Sequence, residues 1–380
     1  MPVERRIREL FAVHGFFFMF WTLYISDGDL KKAQALHSSG IRYLRWPMVF
    51  TGVGLLLAFG IGWQMAGGLE GGLQFLLIGT VLAILEISLS FDNAIVNASK
   101  LERMTPVWQK RFLTWGILIA VFGMRIIFPL MVVSIAAHVS PFTAVHIAVA
   151  EPELYAELIH HAHLPIVAFG GTFLMMVALS YFMDQEKDVH WIHTLEHYMC
   201  NCGSVRGFQI GAVVLIVAGF GLALEGQDIK RFIFASGFGL ATFILVEKLG
   251  EYLDGKSATK AVASGGLGAF LYLEVLDASF SFDGVIGAFA LTQNLFLIAI
   301  GLGIGALYVR SMTIMLVERK TLAEFRYLEH GAFYSILALS IIMFTQVLVP
   351  VPEYITGTLG AGFILLSLLA SLRYRKHHMG

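Results

Sequence analysis

Two apolar runs of this 380-residue chain carry the same short sentence, and that pairing limits the folds open to it. The first reads E-I-S-L-S-F-D-N, from Glu86 to Asn93; the second reads D-A-S-F-S-F-D-G, from Asp277 to Gly284. In register they share an acid, two serines, Phe, Asp and then a small residue. A carboxylate in hydrocarbon costs several kcal/mol unless it faces a cavity or a partner. Matched acids at Glu86, Asp92, Asp277 and Asp283 therefore predict a two-fold site at the middle of a membrane.

Composition agrees with a membrane setting: 57% of residues are hydrophobic, 14% are charged and the mean hydropathy is +0.75. These values argue against a soluble globular chain. A net charge of −1 excludes a basic nucleic-acid binder. Cys200 and Cys202, the only cysteines, lie too close in sequence to suggest a disulfide framework. Apolar stretches predict ten spans, at 48–65, 73–97, 112–136, 164–183, 208–224, 231–247, 264–291, 295–317, 330–349 and 354–371. The expected fold is an all-α polytopic membrane protein. It has an N-terminal segment 1–47, one transmembrane domain 48–371 and a tail 372–380.

Basic residues orient these spans. With the stretch before the first span placed in the cytoplasm, 22 of the 26 Lys and Arg fall on the inside. Only Lys230 and Arg231 fall outside, both at a span end, while Arg125 and Arg310 lie within spans. That asymmetry is what the positive-inside rule produces, and it places both termini in the cytoplasm. The run Leu10–Ile25 follows Arg5, Arg6 and Arg8 and lacks a small-residue cleavage site, so it reads as interfacial rather than as a cleaved leader.

In this topology the two acidic spans run in opposite directions, the signature of inverted-repeat transporters with a midplane site. Each is followed by a span carrying an arginine, Arg125 in G-M-R-I-I-F and Arg310 in Y-V-R-S-M-T. The repeats are expected at about 73–183 and 264–349, three-plus-three within a wider five-plus-five. Glu86 and Asp92 are six residues apart, about 120° around an ideal helix. Convergence of the two would require the helix to unwind or kink, or neighbours to meet it on two sides. Asn93 and Gly284 mark the places where irregular backbone is expected.

The predicted site is all oxygen: the four acids, with Ser88, Ser90, Asn93, Ser279 and Ser281 as neutral donors. Such a set suits hard cations such as Mn²⁺, Mg²⁺ or Ca²⁺. Four ionised acids against Arg125 and Arg310 leave −2, which a divalent ion would neutralise. If Glu274 also faces inward, the surplus grows and a proton could occupy one acid, which gives an antiport cycle.

The paired F-D-N and F-D-G spans, each followed by an arginine helix, resemble the TerC-type membrane proteins named for tellurium resistance, grouped with the LysE-like exporters. The resemblance covers about residues 45–371 and implies metal-ion homeostasis, notably manganese export. It puts Asp92, Asn93 and Asp283 at the family's motif positions, with Glu86 and Asp277 as acidic companions. Loop 137–163, insertion 184–207 and Gly284 depart from the plain pattern, as in a divergent branch.

Segment 184–207 holds His190, His193, Glu196, His197, Cys200 and Cys202. If it is helical, His193 and His197 sit one turn apart, a spacing that can chelate a transition metal; a His-rich surface helix is the plainer reading. The outside loop adds His138, His146, His160, His161 and His163 with Glu151, Glu153 and Glu157.

The leading expectation is a secondary transporter, not an enzyme, that exports a divalent cation, manganese first, in exchange for protons. Its partners are the bilayer, the ion and protons; no resident cofactor and no nucleic acid are expected, and a homo-oligomer is compatible. A bacterial inner membrane is the expected location. Two alternatives stand beside it, an intramembrane aspartyl protease using Asp92 and Asp283 and a membrane scaffold in which the acids are structural. Neither aspartate stands in a G-x-G-D context.

Overall fold

The structure, a computed structural model, describes residues 30–205, 207–254 and 266–379. The run 10–25 expected at the interface lies outside the described residues. Regular structure among the described residues is helical throughout, and eight helices are long and apolar enough to cross a membrane. The chain is therefore an all-α polytopic integral membrane protein.

The chain starts with α1 (Leu30–Met65) and α2 (Gly68–Leu89), and a break at Ser90 separates α2 from α3 (Phe91–Glu102). Next, α4 (Pro106–Leu118) runs through a π-helical stretch (Ile119–Ile127) into α5 (Phe128–Ala136). The expected loop 137–163 instead folds into two short helices, α6 (Pro141–Ala150) and α7 (Pro152–His161). Pro141 pre-sets the first turn of α6, and the Ser140 hydroxyl caps it by accepting from the Thr143 N–H at 3.1 Å. The chain continues through α8 (His163–Phe182), α9 (His193–Cys202), α10 (Phe208–Leu222) and α11 (Gln227–Asp254). It closes with α12 (Leu267–Leu291), α13 (Leu295–Glu318), the single turn α14 (Thr321–Glu324), α15 (Leu328–Gln346) and α16 (Glu353–Met379).

Two of the ten expected spans differ from the eight. Helix α10 has 15 residues, roughly 22 Å at 1.5 Å per residue, short of a hydrocarbon core of about 30 Å. Helix α12 has 25 residues and is long enough, but Glu274, Asp277 and Asp283 interrupt its apolar run.

Packing places α8 at the centre of one core. Phe173, Leu174, Met176 and Phe182 are buried there against α11, α12 and α15. A second core joins Leu82 of α2, Tyr155 of α7, Val285 and Phe289 of α12, and Leu297 and Leu302 of α13. The polar residues of both motifs lie on α2, α3 and α12, helices that contribute to these cores. Large apolar side chains such as Leu56, Trp115, Leu215 and Phe234 face outward. An apolar exterior is tolerable where the surrounding medium is lipid rather than water.

Candidate functional site

The first motif is broken at Ser90, three residues before Asn93, where irregular backbone was expected; Asn93 itself is helical. Ser90 leaves helical geometry at φ −102° and ψ 14°, so Glu86 belongs to α2 and Asp92 to the first turn of α3. A carboxylate in a first helical turn is favoured by the unpaired N–H groups and the positive end of the helix dipole. Asp92 Oδ1 accepts from the Asn93 N–H at 2.8 Å, and Oδ2 accepts from the Ser335 hydroxyl of α15 at 2.5 Å.

The second motif does not repeat this geometry. Helix α12 runs unbroken through Gly284, against the irregularity expected there. Gly284 serves close approach instead: a Cβ at that position would stand 2.7 Å from Glu86 Oε2. Asp283 lies on α12, but its side chain falls outside the described residues.

Each remaining acid meets an arginine, as the motif pairing led one to expect. Arg125, in the π-helical stretch, forms a buried ion pair with Glu86 Oε1 and donates to the Ala120 carbonyl at 2.6 Å. Arg310 of α13 lies 3.6 Å from Asp277 and rests over the Phe112 ring, 3.9 Å from its centroid. Asn97 Nδ2 of α3 donates to Asp277 Oδ1 at 2.7 Å. The motif helices therefore meet at two points, Glu86 of the first with Gly284 of the second, and Asp277 of the second with Asn97 of the first.

Two narrow cavities open at this crossing, of about 40 and 20 Å³. Asp92, Ser88, Ser335 and Thr356 line the larger; Asn93, Asp277, Ser281 and the two arginines line the smaller. Glu86, Ser90 and Phe280 line both. Among the described residues no three His, Cys, Asp or Glu side chains come together as a metal-binding group. The acids are thus distributed over two adjoining cavities rather than gathered at one point.

The serines behave unequally. Ser88 and Ser279 donate to the carbonyls of Ile84 and Val275, four residues earlier on their own helices, and their oxygens keep lone pairs. The Ser281 hydroxyl is buried without a hydrogen-bond partner.

Glu274 faces inward. It is 7% exposed, and neither carboxylate oxygen has a hydrogen-bond partner. Gly116 makes room for it: a Cβ there would lie 2.8 Å from Glu274 Oε1 and 2.5 Å from Arg310 Nη2. The corresponding position of the first motif is Ala83, so the repeat gave no signal for Glu274 beyond its depth in an apolar run. Ser335, Thr356 and Asn97 lie outside both motifs and carried no signal of their own.

In α9, His193 and His197 stack with ring centroids 5.7 Å apart, and the His190 ring lies 5.9 and 6.3 Å from them. Cys200 and Cys202 are half-buried free thiols, and the Cys200 Sγ faces the Asp184 carbonyl at 3.5 Å. The residue that organises this segment is Glu196, which is fully buried. It accepts from Lys187 Nζ at 2.9 Å, from the Trp191 and Ile192 N–H groups at 3.2 Å each and from the Tyr334 hydroxyl at 3.2 Å. His330 Nε2 lies 3.4 Å from it and donates to the Val189 carbonyl at 2.8 Å. Burial alone would raise the Glu196 carboxyl, but hydrogen bonds and charge from His330 and Lys187 hold it down at about 2.

Residues 91–378 match the family described as a protein of unknown function (DUF475). The chain belongs to the DUF475 family. The match begins one residue past the Ser90 break and takes in Asp92, Asp277, both arginines, Ser335 and Thr356, leaving Glu86 outside. No curated protein and no solved structure matches the chain.

Proposed function

We propose that this chain is a secondary transporter that exports a divalent cation, manganese first, in exchange for protons. The observation that carries the reading is the crossing of the two motif helices. There Glu86 and Asp277 are each held by an arginine from the next membrane helix, and Glu86 borders both cavities. Ionisable groups at such depth and in two matched copies mark an ion path more readily than a fold requirement. The choice of manganese rests on the resemblance to TerC-type proteins and on the oxygen-only donor set.

In the cycle we propose, the ion is taken up at the acids and released as protons replace it while the repeats rock about the crossing. Glu86, Asp92, Asp277 and Asp283 are its anionic ligands in turn, Asp92 and Glu86 bordering the larger cavity and Glu86 and Asp277 the smaller. Asn93, Ser88, Ser90 and Ser281 are neutral oxygens along them; the expected donor Ser279 lines neither cavity. Arg125 and Arg310 limit repulsion between acids when the ion has left. The basic residues favour cytoplasmic termini, and the bacterial inner membrane rests on that topology together with the resemblance to TerC-type proteins. The His190, His193 and His197 rings, with Cys200 and Cys202, the expected accessory metal site, do not come together as one, and we assign them no part in transport.

One observation favours a second reading, a membrane scaffold. Each described motif acid already has a partner, as structural ion pairs would. Flux measurements separate the two. Purified chain in proteoliposomes should move Mn²⁺ down a gradient with opposite proton movement, and Asp92→Asn should abolish it. Absence of Mn²⁺, Mg²⁺, Ca²⁺ and Zn²⁺ flux from correctly inserted protein would overturn the transporter and leave the scaffold.

A further inference from the structure

Hydroxyls in membrane helices ordinarily turn back onto their own backbone, because hydrocarbon offers no other partner. Thr51, Thr80, Thr172, Thr313 and Thr345 follow this habit, each donating to the carbonyl four residues earlier. Two hydroxyls beside Asp92 do not. Ser335 donates across to Asp92 Oδ2 at 2.5 Å. Thr356, only 9% exposed, has a hydroxyl with no hydrogen-bond partner and lines the same cavity as Asp92 and Ser335.

Position explains the difference. Thr356 is the fourth residue of α16, so the carbonyl four residues back, at Pro352, lies before the helix, where it accepts from the Ile355 N–H at 3.0 Å and is not held in the direction that serves the other threonines. One turn further, Gly360 keeps the space clear: a Cβ there would lie 2.8 Å from Ser335 Oγ and 3.6 Å from Asp92 Oδ2. A buried hydroxyl left without a partner is destabilising, because its desolvation is not repaid. A cation that takes the oxygen as a ligand removes that cost.

We propose that Thr356 and Ser335 complete the oxygen shell of the cation held at Asp92, so that α15 and α16, which carry neither motif, set which ion is accepted. The inference rests on the transport reading and assigns its specificity. Ser335 keeps two lone pairs while its proton is given to Asp92, and Thr356 has both lone pairs and a proton uncommitted. One carboxylate with two neutral hydroxyls is a hard donor set without a soft member, suited to Mn²⁺, Mg²⁺ or Ca²⁺ that keep part of their water.

The test is direct ion binding to the full chain in lipid nanodiscs, with Mn²⁺ and Cd²⁺ as probes, in a Cys200→Ser, Cys202→Ser background. Thr356→Val should weaken Mn²⁺ binding on the order of tenfold, the lower end of the effect of losing one partner around a metal. Thr356→Ser should retain it, and Thr345→Val, whose hydroxyl is tied to Ile341, should leave it unchanged. Thr356→Cys should turn the preference toward Cd²⁺, because a thiol in the shell favours the softer ion. Parental Mn²⁺ affinity in Thr356→Val together with an unchanged Cd²⁺ preference in Thr356→Cys would overturn the assignment alone. A parent chain that binds neither ion would overturn the transport reading with it.

Discussion

Glu86 and Gly284, 198 positions apart in sequence, touch at the crossing of the motif helices. Glu86 Oε1 is held by Arg125, and Oε2 faces the bare Cα of Gly284, where a methyl group would stand 2.7 Å away. The glycine that breaks the match between the two motifs is thus the residue that lets them meet. Gly284→Ala should push the Glu86 carboxylate, the free end of a flexible side chain, away from Arg125, a shift that disturbs the ion pair more than the packing. A lowered unfolding temperature in detergent and a reduced Mn²⁺ flux are the expected readings; parental values for both would show that the contact does not matter.

Asp277 and Arg310 should behave as a coupled pair. Removing one partner of a buried ion pair leaves an uncompensated charge and costs about 3–5 kcal/mol. Asp277→Asn and Arg310→Gln should each destabilise the chain, and the double variant should recover much of the loss, a coupling that a double-mutant cycle measures. Strict additivity would contradict the pairing. Transport should stay lost in all three, because Asp277 is also assigned to the ion.

Ser335→Ala removes the side-chain donor that Asp92 uses. Hydrogen bonds to charged groups contribute about 1.5–3 kcal/mol, so a loss of unfolding free energy of that scale is expected, seen as a lower denaturant midpoint. A larger relative effect on Mn²⁺ affinity than on stability would distinguish an ion ligand from a mere packing partner. Equal loss in both would assign Ser335 to the fold.

Glu196 makes a pH prediction outside the membrane. Its folded carboxyl sits at about 2, below the ordinary 4.5. A depressed acid contributes stability that is fully present above the unfolded value and is lost as pH falls toward the folded one. About 3 kcal/mol should therefore disappear between roughly pH 5 and 2. Protease sensitivity of segment 184–203 should rise over that window in the parent. In Glu196→Gln it should be high already at neutral pH, and a flat parental profile would refute the anchoring role.

Much of this arrangement was legible before any coordinates. Glu86, Asp92 and Asp277 stand out because a charge in an apolar run is costly, and Arg125 and Arg310 stand out for the same reason. The six-residue spacing of Glu86 and Asp92 left a kink or neighbours on two sides as alternatives, and the break at Ser90 chose the first. Its failure to recur at Gly284 was not legible, because a glycine in a helix signals either bending or close approach, and only the neighbour decides which. The His193–His197 spacing was equally visible, yet the buried member of that segment is Glu196, whose partners Lys187, Tyr334 and His330 come from two separate regions.

The sequence by itself determined that the chain is a helical membrane protein, and it marked Glu86, Asp277, Arg125 and Arg310 as charges set in apolar runs. Both follow from the high free energy of bare backbone and bare charge in hydrocarbon, which leaves few alternatives at each position. The tertiary structure alone decided that the acids divide between two cavities and that Ser335 and Thr356 stand beside Asp92. A neutral hydroxyl in a helix is nearly indifferent to its surroundings while its own carbonyl can accept it. Its role therefore appears only when a carboxylate 243 positions away is brought within 2.5 Å of Ser335, or when Thr356 sits so early in its helix that the carbonyl four residues back lies outside it.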